Sequence, residues 1–200
     1  MASTLNNNIR RSSTHSIKPY LKCLQLNLQH STKASSNKPT GFPSTFRLFS
    51  FGKGKSRAAV LVLNKSIDSM LISQLSDKDA VVVEVKTGDL NFIAASIYFD
   101  IRRNLDLDLL KIRKILDFAK GKGVLLAIDS NSRSRLWHDL VTNSRGKILE
   151  EFLIENQLSI LNTDNLQPTF QTSRGSSKID LTIFNDQLIK EARNWNSAQE

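Results

Sequence analysis

A carboxylate and an amide, two residues apart, follow the most apolar short segment of the chain. Val124 to Ile128 form a run that is too short for a typical helix and rich in branched side chains, so it predicts a buried strand. Asp129 and Asn131 come directly after this run. Because both side chains present oxygen to one small volume, they could hold a hard cation. These residue types are also common turn formers, so a polar turn that only closes a core strand is the alternative.

Three other polar residues lie in or at the ends of predicted strands. Asp180 has apolar neighbours on both sides, and a carboxylate there is costly unless it is paired, hydrogen-bonded or bound to a metal. Its alternative role is structural, as an acceptor of backbone or hydroxyl hydrogen bonds. Asn27 and Tyr98 lie in two further predicted strands, where each is also explained as an ordinary sheet residue.

The elements that must position these residues are clusters of strands interrupted by two helices. Asn104 and either Asn143 or Ser144 are suited to cap two helices, and Gly121 and Gly123 stop the first of them. Strands are predicted at residues 21–28, 45–51, 58–63, 80–86, 91–99, 124–128, 158–161, 169–172 and 178–184, and helices at about 105–119 and 146–156. Closely spaced strands favour antiparallel neighbours, and the mixture predicts an α/β or α+β sandwich.

The basic charge of the chain is concentrated in its first third. Residues 1–67 contain eleven Lys or Arg and no Asp or Glu, within a total charge of +9. This excess indicates an affinity for polyanions, nucleic acid first, while residues 1–18 also have the composition of a mitochondrial or other organelle transit peptide or of a disordered polar tail. One cysteine, Cys23, fits a reducing compartment, which favours a nuclear or cytoplasmic protein. No apolar run approaches the ~18 residues of a membrane span.

The polar residues form an ordered series that resembles the endonuclease domain of non-LTR retrotransposons. This domain belongs to the endonuclease/exonuclease/phosphatase superfamily, which includes deoxyribonuclease I. The resemblance covers about residues 20–196, after a tail at 1–19. The segments that carry it are Leu26-Asn27-Leu-Gln, Ala94-Ala-Ser-Ile-Tyr98-Phe, Ala127-Ile-Asp129-Ser-Asn131, Trp137-His, Asn143-Ser-Arg145-Gly146-Lys, Pro168-Thr169-Phe170 and Ile179-Asp180-Leu-Thr. It implies a four-layer α/β/β/α sandwich.

The resemblance also implies a role for each matching residue in the hydrolysis of a phosphodiester. Asn27 helps to hold the metal and the scissile phosphate, and Tyr98 contacts the phosphate. Asp129 orients and deprotonates the attacking water, while Asn131 steadies the phosphate. Asp180 orients a catalytic histidine. This hydrolysis needs a more nucleophilic water, neutralisation of the charge that grows on the phosphoryl oxygens, and stabilisation of the leaving alkoxide. A carboxylate, a metal ion and a histidine can share these tasks.

Further contacts and partners follow from the same resemblance. Asn143, Arg145 and Thr169 are expected to join Asn27 in contacting phosphate or DNA. The implied cofactor is Mg²⁺, with Mn²⁺ as an alternative. The implied partners are DNA, which the domain nicks to prime reverse transcription, and a reverse transcriptase domain in the same polyprotein.

Two features of the family pattern are absent from these 200 residues. The Gln-Glu-Pro-like motif, whose glutamate is the main metal ligand, has no counterpart, since a segment is missing between about residues 33 and 38 and the first acid is Asp68. The Ser-Asp-His motif is also absent, and residues 197–200 form a truncated end. His30 and His138 are interpreted as loop residues that do not replace its histidine. We therefore expect weak metal binding and impaired catalysis, with a non-catalytic nucleic-acid-binding remnant as the alternative function.

Overall fold

The computed structural model describes residues 46–52, 56–64, 66–163 and 175–190, together with the backbone of residues 170–172. The predicted first strand, the predicted tail at residues 1–19 and the deletion predicted near residues 33–38 lie outside these ranges. No helix within the described ranges has the length and apolar character that a membrane crossing needs.

In the described chain, five strands precede the first of two helices, one strand separates the helices and four strands follow the second. Two short 3₁₀ turns, Ser73–Leu75 and Arg135–Trp137, separate some of them. The elements in chain order are β1 Arg47–Phe49, β2 Val60–Val62, β3 Asp68–Leu71, β4 Ala80–Thr87, β5 Leu90–Tyr98, α1 Leu105–Phe118, β6 Gly123–Asp129, α2 Ser144–Glu155, β7 Leu158–Ile160, β8 Phe170–Thr172, β9 Gly175–Ser177 and β10 Asp180–Asn185. The α/β fold class predicted from the sequence is confirmed.

The central sheet has six strands in the order β3-β4-β5-β6-β10-β7. The antiparallel pairing predicted for closely spaced strands is present between β1 and β2 and between β4 and β5. In contrast, β5 and β6 are parallel, because α1 returns the chain to the end of the sheet from which β5 began. Strand β10 enters between β6 and β7 and is antiparallel to both.

Both helices begin at the asparagines that the sequence suggested as caps. The Asn104 side chain accepts a hydrogen bond from the backbone nitrogen of Asp106, and the Asn143 side chain accepts one from Gly146. These bonds satisfy backbone donors that have no partner inside the first turn of a helix. After α1 the chain turns at Gly121, whose φ of 82° is a left-handed conformation that favours glycine.

The two faces of the central sheet carry separate apolar cores. On one face, inward residues of both helices, such as Ile112 and Phe152, pack on alternate residues of the sheet strands. On the other face, Val62 of β2 belongs to a second buried cluster with Val81, Val83 and Phe92. The described residues therefore form three layers of the sandwich: two helices, a six-stranded sheet, and the β1–β2 pair.

Candidate functional site

Three of the predicted site residues lie side by side on three neighbouring strands. Tyr98, the last residue of β5, is in register with Asp129, the last residue of β6. Asp129 is in turn in register with Asp180, the first residue of β10. We call Tyr98, Asp129 and Asp180 the site row. Cα atoms of directly paired residues are about 5 Å apart, so the structure brings together residues that are 31 and 51 positions apart in sequence.

The site row projects from the face of the sheet that is opposite to the helices. Neighbouring strand residues point to opposite faces. Residues that immediately adjoin the row, Ile97, Ile128 and Leu181, belong to the helix-side core. The row therefore lies on the same face as the β1–β2 pair, beyond the end of the apolar core on that side.

Tyr98 and Asp129 are buried, with exposures of 3% and 4%, whereas Asp180 is partly exposed. Burial raises the pKa of the Tyr98 phenol, and the neighbouring Asp129 carboxylate raises it further. The positive charge of Arg57 and a hydrogen bond with the Asn131 side chain act in the opposite direction. The phenol is thus held in its neutral form, in which the hydroxyl can donate a hydrogen bond.

Asn131 lies next to the row because the chain turns sharply after β6. Its φ of 46° is left-handed, a conformation that asparagine tolerates better than most residues. Its side-chain nitrogen donates a 2.8 Å hydrogen bond to the carbonyl of Phe99, the residue after Tyr98. The residue predicted to steady the phosphate is therefore fixed to the end of β5, beside the phenol.

Hydrogen bonds from Ser130 and Asp139 fix the loop that follows β6. The backbone nitrogen and the hydroxyl of Ser130 both donate to the carbonyl of Ile179, at 2.8 and 2.7 Å, and so attach the loop to the start of β10. Asp139 is 6% exposed and accepts hydrogen bonds from Arg133 and from the backbone nitrogens of Val141 and Lys178. Hydrogen bonds to Arg133 and to backbone N–H groups overcome the effect of burial and lower the pKa of Asp139. Sequence reasoning did not identify either residue.

The Asn143-Ser-Arg145-Gly146 motif attaches α2 to this loop. The Asn143 side-chain oxygen accepts from the backbone nitrogens of Gly146 and Arg133, and Arg145 donates from Nη1 to the Arg103 carbonyl at 3.2 Å. A Cβ at Gly146 would lie 1.9 Å from the Arg133 carbonyl oxygen, so only glycine allows this approach. The phosphate contacts expected of Asn143 and Arg145 remain predictions.

A cluster of ion pairs beside Tyr98 was also not predicted. Arg57 donates from Nε to Asp79 at 2.6 Å and from Nη1 to Asp100 at 2.8 Å, and Arg103 donates to Asp79 at 2.9 Å. We call Arg57, Asp79, Asp100 and Arg103 the Asp79 cluster. Burial alone would raise the pKa of Asp79, but the hydrogen bonds and charge of Arg57, with the bond from Arg103, hold it below its usual value. No sequence signal marks Arg57, since its partners lie 22 and 43 residues away.

The described residues could bind Mg²⁺ only together with oxygen atoms of a bound substrate. Asp129 and Asp180 are two adjacent carboxylates, and Mg²⁺ commonly uses one or two carboxylates together with phosphate oxygens. Within the part of the chain that the structure describes, no group of three acidic, His or Cys side chains could hold a metal. Asn27, the predicted ligand, and Thr169, the predicted DNA contact, lie outside the described residues. His138 is exposed, at the end of the second 3₁₀ turn.

Known proteins share both the sequence pattern and the fold. The endonuclease-reverse transcriptase family matches residues 92–200, a range that includes the site row and Asn131. The retrovirus-related Pol polyprotein of the type-1 retrotransposable element R1 of Bradysia coprophila is 24% identical over 157 residues, which are 73% of this chain and 16% of the polyprotein. A 115 kDa protein of element R1DM of Drosophila melanogaster is 26% identical over 72% of this chain and 15% of its own length. The chain therefore spans about one sixth of these relatives.

One solved structure extends this similarity to three dimensions. It is the endonuclease domain of TRAS1, a telomere-specific non-LTR retrotransposon. The two chains are 28% identical with a TM-score of 0.67, over 72% of this chain and 69% of the other.

Proposed function

Because this chain belongs to the endonuclease-reverse transcriptase family, we propose that it is a DNA-directed phosphodiesterase domain in which catalysis is impaired. The observation that carries the proposal is the register of Tyr98, Asp129 and Asp180 across three adjacent strands, with Asn131 beside them. Each of these residues belongs to one of the motifs that resemble the family pattern. DNA as substrate and a reverse transcriptase domain as partner are part of this proposal, and the names of the relatives support both.

The site row and Asn131 would act on one phosphate group. The neutral Tyr98 hydroxyl and the Asn131 amide would donate hydrogen bonds to phosphoryl oxygens, where negative charge grows during hydrolysis. Asp129 would accept a proton from the attacking water. Asp180, on the next strand, would orient a second acid–base group. Mg²⁺, or Mn²⁺ in its place, would neutralise phosphate charge when bound with the substrate.

The proposed impairment rests on one residue of the family pattern, the principal metal-binding glutamate. Between the predicted strand at residues 21–28 and Asp68 the chain contains no Asp or Glu, so this glutamate has no counterpart there. Mg²⁺ that is bound through one or two carboxylates and substrate oxygens loses most of its affinity for the protein when its principal carboxylate is absent.

Plasmid nicking tests the catalytic part of the proposal. The 200-residue protein is incubated with supercoiled plasmid and Mg²⁺ or Mn²⁺, and relaxed circles are quantified beside Asp129→Ala and Asp180→Ala. We expect wild type to nick no faster than either variant. Asp89→Ala, which changes an exposed acid in the β4–β5 turn, is the matched control. Nicking that wild type shows and only the two site variants lose would establish an active enzyme and disprove the expectation that its residual activity is too low to detect.

DNA affinity tests the position of the phosphate independently of turnover. Two like charges ~5 Å apart repel by about 1 kcal/mol even in water. If DNA phosphate approaches the site row, Asp129→Asn should therefore bind duplex DNA severalfold more tightly than wild type in EDTA. Fluorescence anisotropy with a labelled duplex measures this change, with Asp89→Asn as control. Equal affinities for wild type and Asp129→Asn would contradict binding at the site row.

A second candidate function is nucleic-acid binding through the basic first third of the chain. The charge distribution favours it, since residues 1–67 contain eleven Lys or Arg and no acid. Such binding should weaken steeply with salt and depend little on sequence. Replacement of Arg10, Arg11, Lys18 and Lys22 by Gln should then reduce both the affinity and its salt dependence. If only these changes affect binding, and Asp129→Asn does not, the second function is favoured over the first.

A further inference from the structure

The side chain of Arg57 is fixed against the ring of Tyr98 by two carboxylates. The guanidinium carbon lies 4.4 Å from the ring centroid, a cation–π distance. The same guanidinium donates to Asp79 at 2.6 Å and to Asp100 at 2.8 Å. Only 15% of the Arg57 side chain is exposed. A planar group held at two of its nitrogens has a defined orientation, and here its central carbon lies over the phenol ring.

The backbone of Tyr98 is attached to the same cluster. Its nitrogen donates a 2.8 Å hydrogen bond to the carbonyl of Asp79, while the Asp79 carboxylate binds Arg57 and Arg103. Asp79 therefore fixes Tyr98 in two ways: directly through the main chain, and through Arg57 at the ring face. Asn131 interacts with the hydroxyl at the far end of the ring.

We propose that Arg57 is a positioning residue for Tyr98: it holds the phenol ring at the end of β5, where the hydroxyl faces the position proposed for the phosphate. The value of this role to catalysis rests on the proposed function, but the contact itself does not. Lysine cannot replace arginine here, because an ammonium group is a point charge that cannot bind both carboxylates in one plane and also stack on the ring.

The contact between the guanidinium and the ring gives the proposal a measurable consequence. One face of the Tyr98 ring is covered by a group that two carboxylates hold in place. Loss of the guanidinium uncovers this face, so Arg57→Met should change the environment and the order of the ring.

The experiment uses the whole chain with one spectroscopic label. The sequence contains two tyrosines, so in a Tyr20→Phe background Tyr98 is the only one. With 3-fluorotyrosine incorporated, a single ¹⁹F resonance reports the environment and the order of the ring. Arg57→Met and Arg57→Lys are compared with the parent, after circular dichroism has shown that each is folded. Arg113→Lys is the matched control, because Arg113 lies 5.3 Å from the ring of Phe152 and pairs with Glu155.

The proposal predicts a different result for the Arg57 variants and for the control. Arg57→Met should alter the position and width of the resonance, and Arg57→Lys, which keeps the charge but not the planar group, should alter them as well. Arg113→Lys should leave the resonance unchanged. Folded Arg57 variants whose resonance matches the parent would overturn the proposal. A Tyr98→Phe variant that binds DNA as tightly as wild type would instead count against the proposed function, while an altered resonance in Arg57→Met would still support the Arg57–Tyr98 contact.

Discussion

Two buried aspartates, Asp79 and Asp108, have carboxyl groups whose pKa values are shifted in opposite directions. Their exposures are 1% and 0%. Asp79 receives hydrogen bonds from Arg57 and Arg103, and its pKa is lowered. Asp108 has Arg103 as a cation at 3.6 Å, and within the described residues neither of its oxygens accepts a hydrogen bond. Burial raises the pKa of Asp108 to about 6. Burial therefore does not decide the charge state, whereas hydrogen-bonded cations do.

The largest expected effect is the loss of the Asp79 carboxylate. Asp79→Asn keeps the shape of the side chain but leaves Arg57 and Arg103 without their shared anion. Breaking a buried ion pair from one side typically destabilises a protein by about 3–5 kcal/mol. Urea unfolding at pH 7 measures the change, with exposed Asp89→Asn as control. A loss below about 1 kcal/mol would show that the hydrogen bonds to Asp79 are not important for stability.

Asp108 should give a smaller effect of opposite sign. Its folded pKa of about 6 lies above the ordinary 3.8, so the folded state binds the proton more tightly than the unfolded state. The cost of the ionised group is present above about pH 6 and disappears as the pH falls toward 4. When the pH is lowered from 8 to 5, the free energy of unfolding of wild type should therefore rise by on the order of 1 kcal/mol relative to that of Asp108→Asn.

Urea unfolding of wild type and Asp108→Asn at pH 5 and pH 8 checks this prediction. Asp106→Asn, an exposed change in the same helical turn, is the control. The pKa values of Asp79 and Asp100 are lowered, so the contributions of these carboxylates to the stability of the protein are lost only at lower pH and do not obscure the result. A difference between wild type and Asp108→Asn that is the same at both pH values would show that Asp108 does not titrate in this range.

The smallest effect is expected where an ion pair is exposed. Arg113 and Glu155 are 3.3 Å apart, and their side chains are 55% and 63% exposed. Glu155→Gln should change the free energy of unfolding by less than about 0.5 kcal/mol, and less still in high salt. Urea unfolding in low and high salt measures this. A loss comparable to that of Asp79→Asn would mean that burial does not distinguish the two pairs.

Local signals were sufficient to predict most elements of the fold. Asn104 and Asn143 cap helices in the structure, and the apolar run before Asp129 is a strand. Strand β3 was missed because Asp68–Leu71 is short, lies at the edge of the sheet and has no fully buried residue, so its composition is not that of a core strand. Strand β9, Gly175–Ser177, contains no apolar side chain and gives no periodic signal.

The candidate site was predictable in its residues but not in its surroundings. Asp129 and Asp180 stood out because carboxylates adjoined apolar runs. Their register could not be derived from local patterns, because it depends on how distant strands pair. The Asp79 cluster was unpredictable for the same reason, since Arg57 looks like any other arginine until the fold brings Asp79 and Asp100 to it.

The place of β10 in the sheet determines the order in which the domain can be completed on the ribosome. Translation makes β6 and β7 first, yet each has an open edge until residues 180–185 have been synthesised, because β10 lies between them. The same strand brings Asp180 beside Asp129. A nascent chain whose residues 180–185 have not yet left the ribosome therefore lacks both a closed sheet and a complete site row. It also exposes strand edges that can pair with other chains.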